Sequence, residues 1–272
     1  MSSTMPTERG MWSVLRALEV QRHVIGALIL RELLTRYGRD NIGYLWILVE
    51  PLTLALAVAA IHVGNGGGTH HAGDIRPVPF TLSGYCVFMI FRSVVTRAET
   101  TIESNKPLLY HRMVTIFDML AARAALEMIG TTAAFAFLMI LANVAGLADM
   151  PARPLRLMLA ILLLTWFAFA LSMGIASGVY FSKAVAKLVH PVTYIAMPIS
   201  GAFFLLAWIP QPYRTWLSWS PLNQIFELVH NGVFESSDGS YADPVYIIGW
   251  CMALTVAGLL LLRVLRRHLH LS

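Results

Sequence analysis

Four charged residues lie within stretches of sequence that are otherwise apolar: Glu50, Arg92, Arg123 and Glu127. An ionised side chain in the hydrocarbon of a membrane costs a few kcal/mol unless it meets a partner or a water-filled cavity. Arg123 and Glu127 are four residues apart, so they can pair along one face of a helix. Two hypotheses stay open at this point: the charges are internal salt bridges that lock a bundle, or they line a hydrated path and its gate.

The motifs of common enzymes and metal sites are missing. No GxxxxGK[ST] phosphate loop occurs, so we do not expect the chain to bind ATP in the usual way. The motifs HExxH and GxSxG and zinc-spaced cysteine or histidine groups are also absent. The glycine-rich loop 64–73 carries two histidines without a carboxylate or cysteine at ligand spacing, which favours a flexible loop over a metal site. We therefore expect no catalytic residue, no metal and no cofactor in this chain.

The composition indicates an integral membrane protein. Of the 272 residues, 57% are hydrophobic and only 13% are charged, which is about half of the ~25% charged content of soluble domains. A soluble chain of this size could not hide so much apolar surface. Disordered chains are polar and highly charged, so disorder is excluded as well.

Six stretches are apolar and long enough to cross a membrane as helices, for which about 20 residues are needed. They cover residues 44–63, 78–96, 120–143, 155–181, 188–209 and 244–265. We predict an all-α integral membrane protein with six spans, in which a transmembrane domain (44–265) lies between an N-terminal segment (1–43) and a short tail (266–272).

Lysine and arginine residues are unequally divided between the two sides that these spans define. Fourteen of them lie in segments 1–43, 97–118 and 182–187 and in the tail from Arg263, whereas four lie on the other side. The positive-inside rule makes the richer side cytoplasmic. We therefore predict a multi-pass protein with both termini in the cytoplasm.

Residues 11–33 have the pattern of an amphipathic helix, with an apolar stripe at helical spacing. The stripe comprises Met11, Val14, Leu15, Leu18, Ile25 and Ile29. Such a helix lies in the membrane interface with its basic residues toward anionic headgroups. The pattern does not distinguish a simple anchor from a moving part.

The segment 210–243 is too broken by proline and glycine to form one span, yet it is apolar and rich in aromatic residues. This combination is typical of re-entrant half-helices that dip into the outer face of the membrane before the last span. The residues Trp208, Trp216 and Trp219 either belong to an interfacial aromatic belt or offer flat faces on which sugar rings stack.

Three separated parts of the chain resemble one transporter family. Residues 31–51 are similar to the RE-x-x-TRYGR…GYLW-x-x-x-EP stretch of type-2 ABC exporter permeases, above all the capsular polysaccharide export (KpsM-like) inner-membrane permeases. The matching residues are Arg31, Glu32, Thr35, Arg36, Tyr37, Gly38, Arg39, Gly43, Tyr44, Leu45, Trp46, Glu50 and Pro51. A second match runs from Asn105 through Asp118 to Glu127 and a third from Pro198 to Glu227. The resemblance therefore spans nearly the whole chain in family order.

The resemblance implies a homodimer of this chain in the bacterial inner membrane, bound to two copies of a separate ATP-binding cassette subunit that carries ATP and Mg²⁺. It implies that a lipid-linked capsular polysaccharide moves from the cytoplasm to the periplasm. A periplasmic co-polymerase-type adaptor and an outer-membrane exporter are implied as further partners, beside the membrane lipids. No nucleic acid is expected.

The resemblance also implies roles for individual residues. At the cytoplasmic gate, where substrate would enter, it places Arg31, Glu32, Arg36, Tyr37 and Arg39. Along the translocation path, we expect Tyr44, Trp46, Glu50, Arg92, Arg123, Glu127, Trp208, Trp216 and Trp219. In a segment that docks on the ATPase, we expect Glu99, Glu103, Lys106, Leu108, Leu109, His111 and Arg112.

Other functions remain as alternatives. Among exporters, the chain could be an O-antigen, teichoic-acid or small-molecule type-2 permease. A membrane-embedded enzyme on lipid-linked sugars is disfavoured because the sequence lacks a constellation of carboxylates or histidines. A non-transporting scaffold is disfavoured because charges within its spans would be a needless cost.

Overall fold

The computed structural model describes most of the chain. Described are residues 6–37, 49–50, 52–54, 56–57, 60, 75–105, 114–237 and 239–269. These residues form helices joined by short turns and contain no strand, so the predicted all-α class is confirmed for this part of the chain.

The helices are numbered in chain order, and the described residues between 49 and 60 are helical as well. The α-helices are α1 (Pro6–Tyr37), α2 (Pro77–Ala98), α3 (Thr101–Ser104), α4 (Ile116–Val144), α5 (Pro154–Phe181), α6 (Lys183–Ile199), α7 (Tyr213–Ser218), α8 (Pro221–Val233) and α9 (Pro244–Leu269). A 3-10 turn (Leu206–Trp208) precedes α7.

Four of the described helices, α2, α4, α5 and α9, are long and apolar enough to cross a membrane. They cover the predicted spans 78–96, 120–143, 155–181 and 244–265, each with a few extra residues at one or both ends. Most of the predicted first span, 44–63, lies outside the described residues. The helix predicted over 11–33 is present as the longer α1, which packs against α4.

The predicted span 188–209 differs from the structure. The helix there, α6, begins earlier at Lys183 and ends at Ile199. Pro198 cannot donate a helical hydrogen bond, and Gly201 has a φ of +85°, which glycine adopts without steric cost. Residues 200–205 are therefore non-helical, and we call them the unwound segment.

Helix α5 is the centre of the bundle, because it packs against α2, α4, α6, α8 and α9. Its longest contact is with α9, where Trp166 Nε1 donates to Thr255 Oγ1 at 3.0 Å. Rings from α2, α5 and α8 meet in the core, with centroids of Phe91 and Phe167 6.2 Å apart and those of Phe88 and Phe226 also 6.2 Å apart. Aromatic pairs at this separation stabilise the core beyond the contribution of their buried apolar area.

The helices define two ends of the bundle. At the upper end, α2, α5 and α9 begin and α4 ends, and Arg76 Nε lies 3.5 Å from Asp149 Oδ2 there. At the lower end, α2 and α5 end and α4 begins, so the turns at residues 99–105 and 114–115 lie at this end. Helix α8 is buried from Leu222 to Val233 and lies between the starts of α5 and α9.

Gly84 of α2 touches the backbone of the unwound segment directly. A methyl group at Gly84 would lie 1.8 Å from the carbonyl oxygen of Ala202. Gly130 of α4, in contrast, has nothing within 4 Å of the corresponding position.

We predict that Gly84→Ala lowers the Tm of the detergent-purified protein by about 5 °C or more, because overpacking costs roughly 1–3 kcal/mol or more and each kcal/mol shifts Tm by about 2–4 °C. Gly130→Ala is the matched control, and its Tm should equal or slightly exceed that of the wild type, since alanine favours helix. Equal Tm values for both variants would contradict the close contact between α2 and the unwound segment.

Candidate functional site

Charged and polar side chains from three parts of the chain meet at the lower end of the bundle. We call this group the charged junction, and it consists of Glu32 of α1, Arg97 of α2, Thr101 and Asn105 at α3, and Arg123 and Glu127 of α4. Four of these residues come from the family-like stretches at 31–51 and 105–127. Residues that are distant in sequence are thus neighbours in the fold.

Arg123 is the centre of the charged junction, and its side chain is only 13% exposed. Its Nε lies 3.4 Å from Glu32 Oε1, and its Nη1 donates to Thr101 Oγ1 at 2.8 Å and to the carbonyl oxygen of Arg97 at 3.1 Å. The planar guanidinium suits several acceptors at once. It also places a positive charge at the C-terminal end of α2, where the helix dipole favours it.

Glu127 pairs with Arg97, whose Nε lies 2.9 Å from Glu127 Oε1. The carboxylate is 7% exposed, so it depends on partners supplied by the protein. The spacing of Arg123 and Glu127 allows them to pair along α4. The structure gives each of them an oppositely charged partner on another element, so the two charges tie α1, α2 and α4 together.

Helix α1 is attached to this end at two further points. Arg31 Nη1 donates to Asn105 Oδ1 at 3.2 Å, and Gln21 Nε2 donates to Asp118 Oδ1 at 2.9 Å. Asp118 also closes a capping box with Thr115 at the start of α4. The attachment covers residues 21 to 32 of α1, so displacement of α1 would pull on both the turn after α2 and the first turn of α4.

A second line of polar contacts joins α2 to α6. The guanidinium of Arg92 lies over the ring of Tyr194, 4.1 Å from its centroid, in a cation–π contact. One end of the Glu99 carboxylate lies 3.5 Å from His190 Nε2. Both residues thus contact α6, and the predicted roles of Arg92 in a path and of Glu99 in ATPase docking stay predictions.

The remaining predicted path residues are spread over the molecule. Tyr85 of α2 donates a hydrogen bond to the Glu50 carboxylate. Trp208 packs on Phe80 with a centroid distance of 5.3 Å. Trp216 and Trp219 are 79% and 75% exposed on and beside α7, so the three tryptophans do not share one environment.

Several predicted site residues belong to parts of the chain that the structure does not describe. Outside the described residues lie Arg39, Tyr44, Trp46, Lys106, Leu108, Leu109, His111 and Arg112. Arg36 and Tyr37 are at the end of α1, with side chains outside the described part. Of the predicted coupling residues, Glu103 is described, and it is exposed in α3.

Helix α8 carries a buried polar face that the sequence analysis missed. Its members are Asn223, Gln224, Glu227, His230 and Asn231. Their spacing of one, three, three and one residues follows the helical period and could have revealed the face. The apolar and proline-rich residues around these positions predicted re-entrant half-helices and did not indicate a polar face.

Two of these side chains bind the backbone beside α6. His230 Nε2 donates to the carbonyl oxygen of Gly201 at 3.0 Å, and Glu227 Oε1 accepts from the N–H of Leu206 at 2.5 Å. The Nδ1 atom of His230 and both amide atoms of Asn223 have no hydrogen-bond partner among the described residues. Leaving a buried polar group unpaired costs about 1–3 kcal/mol.

The ends of α8 are tied to the starts of two long helices. Arg153, directly before α5, donates from Nη1 to the carbonyl oxygens of Asn231 (2.9 Å), Phe234 (3.2 Å) and Ser237 (3.2 Å). At the other end, Gln224 Oε1 accepts from the N–H of Asp243, directly before α9, at 3.2 Å. The guanidinium thus satisfies one carbonyl that the last turn of α8 leaves free and two carbonyls just beyond the end of the helix.

Nowhere in the described part do three His, Cys, Asp or Glu side chains come together in a way that could hold a metal ion. The arrangement offers charge pairing and hydrogen bonding within an apolar bundle.

Comparison with known proteins identifies relatives over nearly the full chain. The sequence model of the ABC-2 type transporter family matches residues 23–234. The capsule polysaccharide export inner-membrane protein CtrC of Neisseria meningitidis serogroup A is 36% identical, over 91% of this chain and 92% of its own length. The capsule polysaccharide export inner-membrane protein BexB of Haemophilus influenzae is 30% identical, over 91% of this chain and 93% of its own length. The polysialic acid transport protein KpsM of Escherichia coli is 32% identical, over 90% of this chain and 94% of its own length.

We predict that Glu32 and Arg123 are energetically coupled. In a double-mutant cycle with Glu32→Gln and Arg123→Gln, the free energy of unfolding in mixed detergent micelles should show a coupling of about 1 kcal/mol or more, since both side chains are largely buried. The exposed residues Glu19 and Arg22 of α1 are the matched control pair, with a coupling of at most about 0.5 kcal/mol. Additive effects of the Glu32 and Arg123 substitutions would contradict the junction.

Proposed function

The chain belongs to the ABC-2 type transporter family, and from this premise we propose that it is the transmembrane permease subunit of an ATP-driven exporter of capsular polysaccharide. The substrate in this proposal is a lipid-linked polysaccharide that moves from the cytoplasm to the periplasm. The permease works as a homodimer in the inner membrane, and a separate ATP-binding subunit hydrolyses ATP. A periplasmic adaptor and an outer-membrane exporter complete the route.

The proposal is carried by the extent of the similarity. Three relatives named for capsule polysaccharide export or polysialic acid transport match about nine-tenths of this chain and more than nine-tenths of themselves. Similarity over nearly the whole length of both chains favours a shared role, whereas a shared fold alone would not, because one fold hosts many functions.

The charged junction supports a mechanical role within this function. In the proposed topology, with six spans and both termini cytoplasmic, the lower end of the bundle faces the cytoplasm. The turn 99–105, which continues toward the proposed ATPase-docking residues, shares hydrogen bonds with α1 and α4, and an ion pair joins these two helices to each other. A push on this turn by the ATPase would therefore reach α1, which in this proposal is an interface helix at the cytoplasmic gate.

The remaining residues have proposed roles in the passage of the glycan. Arg31 and Glu32, together with Arg36, Tyr37 and Arg39, receive an anionic, lipid-linked substrate at the gate. The path toward the periplasm runs past paired charges and aromatic rings, and α7 and α8 act as its outer, re-entrant half-helices. In the absence of substrate, pairing with opposite charges stabilises these side chains within the bundle.

The first test is a clean deletion of the gene in its native cell. We expect polysaccharide to disappear from the surface and to accumulate in the cytoplasm, because synthesis continues without export. Immunolabelling of intact and permeabilised cells measures both pools, and complementation with the wild-type gene is the control.

Two outcomes would contradict the proposal. Unchanged surface polysaccharide would exclude capsule export and favour a small-molecule exporter. Loss of polysaccharide from both compartments would favour the enzyme on lipid-linked sugars.

The second test concerns ATPase docking. We predict that Glu103→Lys, at the exposed lower end, lowers copurification of the ATP-binding subunit at least about threefold, because reversal of a rim charge weakens association. Glu235→Lys is the matched control, since Glu235 is exposed at the upper end, and it should copurify the subunit like the wild type. Equal copurification from both variants would place the docking surface elsewhere.

A further inference from the structure

The unwound segment is a stretch of irregular backbone that is buried in the bundle. Ala202 is 0% exposed and Leu205 is 6% exposed, and the segment passes between Gly84 of α2 and Phe226 of α8. Irregular backbone at membrane depth is tolerated only where protein groups satisfy it. Here the satisfying groups include Ser200 Oγ, which accepts from the N–H of Ala202 at 3.3 Å, and His230 of α8.

The two sides of this contact are held very differently. Helix α8 is buried along its length, and both of its ends are tied to the starts of α5 and α9. Helix α6, which leads into the unwound segment, has only Val189 and Thr193 buried among its residues. It also contains two prolines, which weaken the helical hydrogen bonding. If one side moves, it is therefore α6 and the unwound segment.

The fixed side presents unused hydrogen-bonding groups to the moving side. Asn223 is 1% exposed, and neither of its amide atoms has a partner among the described residues. Its Oδ1 lies 2.9 Å from the position that a Cβ on Gly201 would occupy, so the amide abuts the unwound segment without bonding to it. A buried amide has a donor and an acceptor, which match the carbonyl and N–H groups of a peptide backbone.

We propose that the unwound segment is the hinge of α6 and shifts along α8 during transport. In a second state, Asn223 hydrogen-bonds the backbone of the unwound segment. In the state described here His230 holds the segment at Gly201, and Glu227 holds the 3-10 turn that directly follows it. In the second state Asn223 takes over part of this task, which keeps the backbone satisfied while α6 moves. Asn223 is thus a positioning residue for the outer half of the permease, and the proposal rests on the export function proposed above.

The first experiment replaces Asn223 by leucine, which has the same number and branching of side-chain heavy atoms and no polar atoms. The variant should have a higher Tm than the wild type, because an unpaired amide is removed from this state. Export in the complemented deletion strain should nevertheless fall about tenfold, because the second state loses its partner. A residue with a purely structural role would not raise Tm and lower export together.

Thr132→Val of α4 is the matched control. Thr132 Oγ1 is likewise buried without a partner among the described residues, but it lies on a different helix. The variant should keep wild-type export. Wild-type export from Asn223→Leu, or a Tm below that of the wild type, overturns the hinge. Absence of export from the wild-type gene itself would instead overturn the proposed function.

A second measurement does not depend on export. Ser200→Cys is prepared in a chain whose native cysteines, Cys86 and Cys251, are replaced by alanine, and it is copurified with its ATP-binding subunit. Residue 200 is 2% exposed in this state. The rate of maleimide labelling should rise at least about tenfold during ATP turnover relative to the nucleotide-free complex. Equal labelling rates in both conditions overturn the hinge.

Discussion

Within an apolar bundle, a charged side chain or a free backbone group is stable only if the protein supplies its partner, because neither lipid nor packed hydrocarbon can. Most of the described architecture follows from this constraint. The charged junction closes the lower end of the bundle with ion pairs between three elements. At the upper end, Arg153 and the polar face of α8 satisfy the free carbonyls and the unwound segment.

The same constraint links structure to function. Removing one member of a buried ion pair costs several kcal/mol, so the elements that share such a pair move together or not at all. Helix α1, the turn after α2 and the start of α4 share one network through Arg123 and Asn105. In the proposed permease, this network carries motion from the ATPase to the cytoplasmic gate.

The hydropathy pattern of the sequence predicted the long apolar helices, but it did not predict where α6 ends. The apolar lengths placed α2, α4, α5 and α9 correctly, because the thickness of a bilayer sets the length of a span. The predicted end of α6 was wrong, since hydropathy does not register that Gly201, three residues after Pro198, takes a positive φ. Tertiary contacts decide this point: the carbonyl oxygen of Ala202 lies against Gly84, which has no side chain.

The site was partly predictable for a related reason. The charges at 92, 123 and 127 were identified by their cost in a membrane, but helical spacing suggested a partner for Arg123 within α4. Its neighbours Glu32 and Thr101 come from other elements, which one-dimensional spacing cannot reveal. The polar face of α8 has a clear helical period, but the prolines and aromatic residues around it are equally typical of a membrane interface.

Reconstitution would test the central claim most directly. The chain and its ATP-binding subunit are placed together in proteoliposomes that hold the lipid-linked polysaccharide in the outer leaflet, and protection of the glycan from an added glycosidase is measured over time. The account predicts protection that requires this chain, the ATP-binding subunit and ATP hydrolysis together. Protection without ATP, or none with both proteins and ATP present, would contradict it.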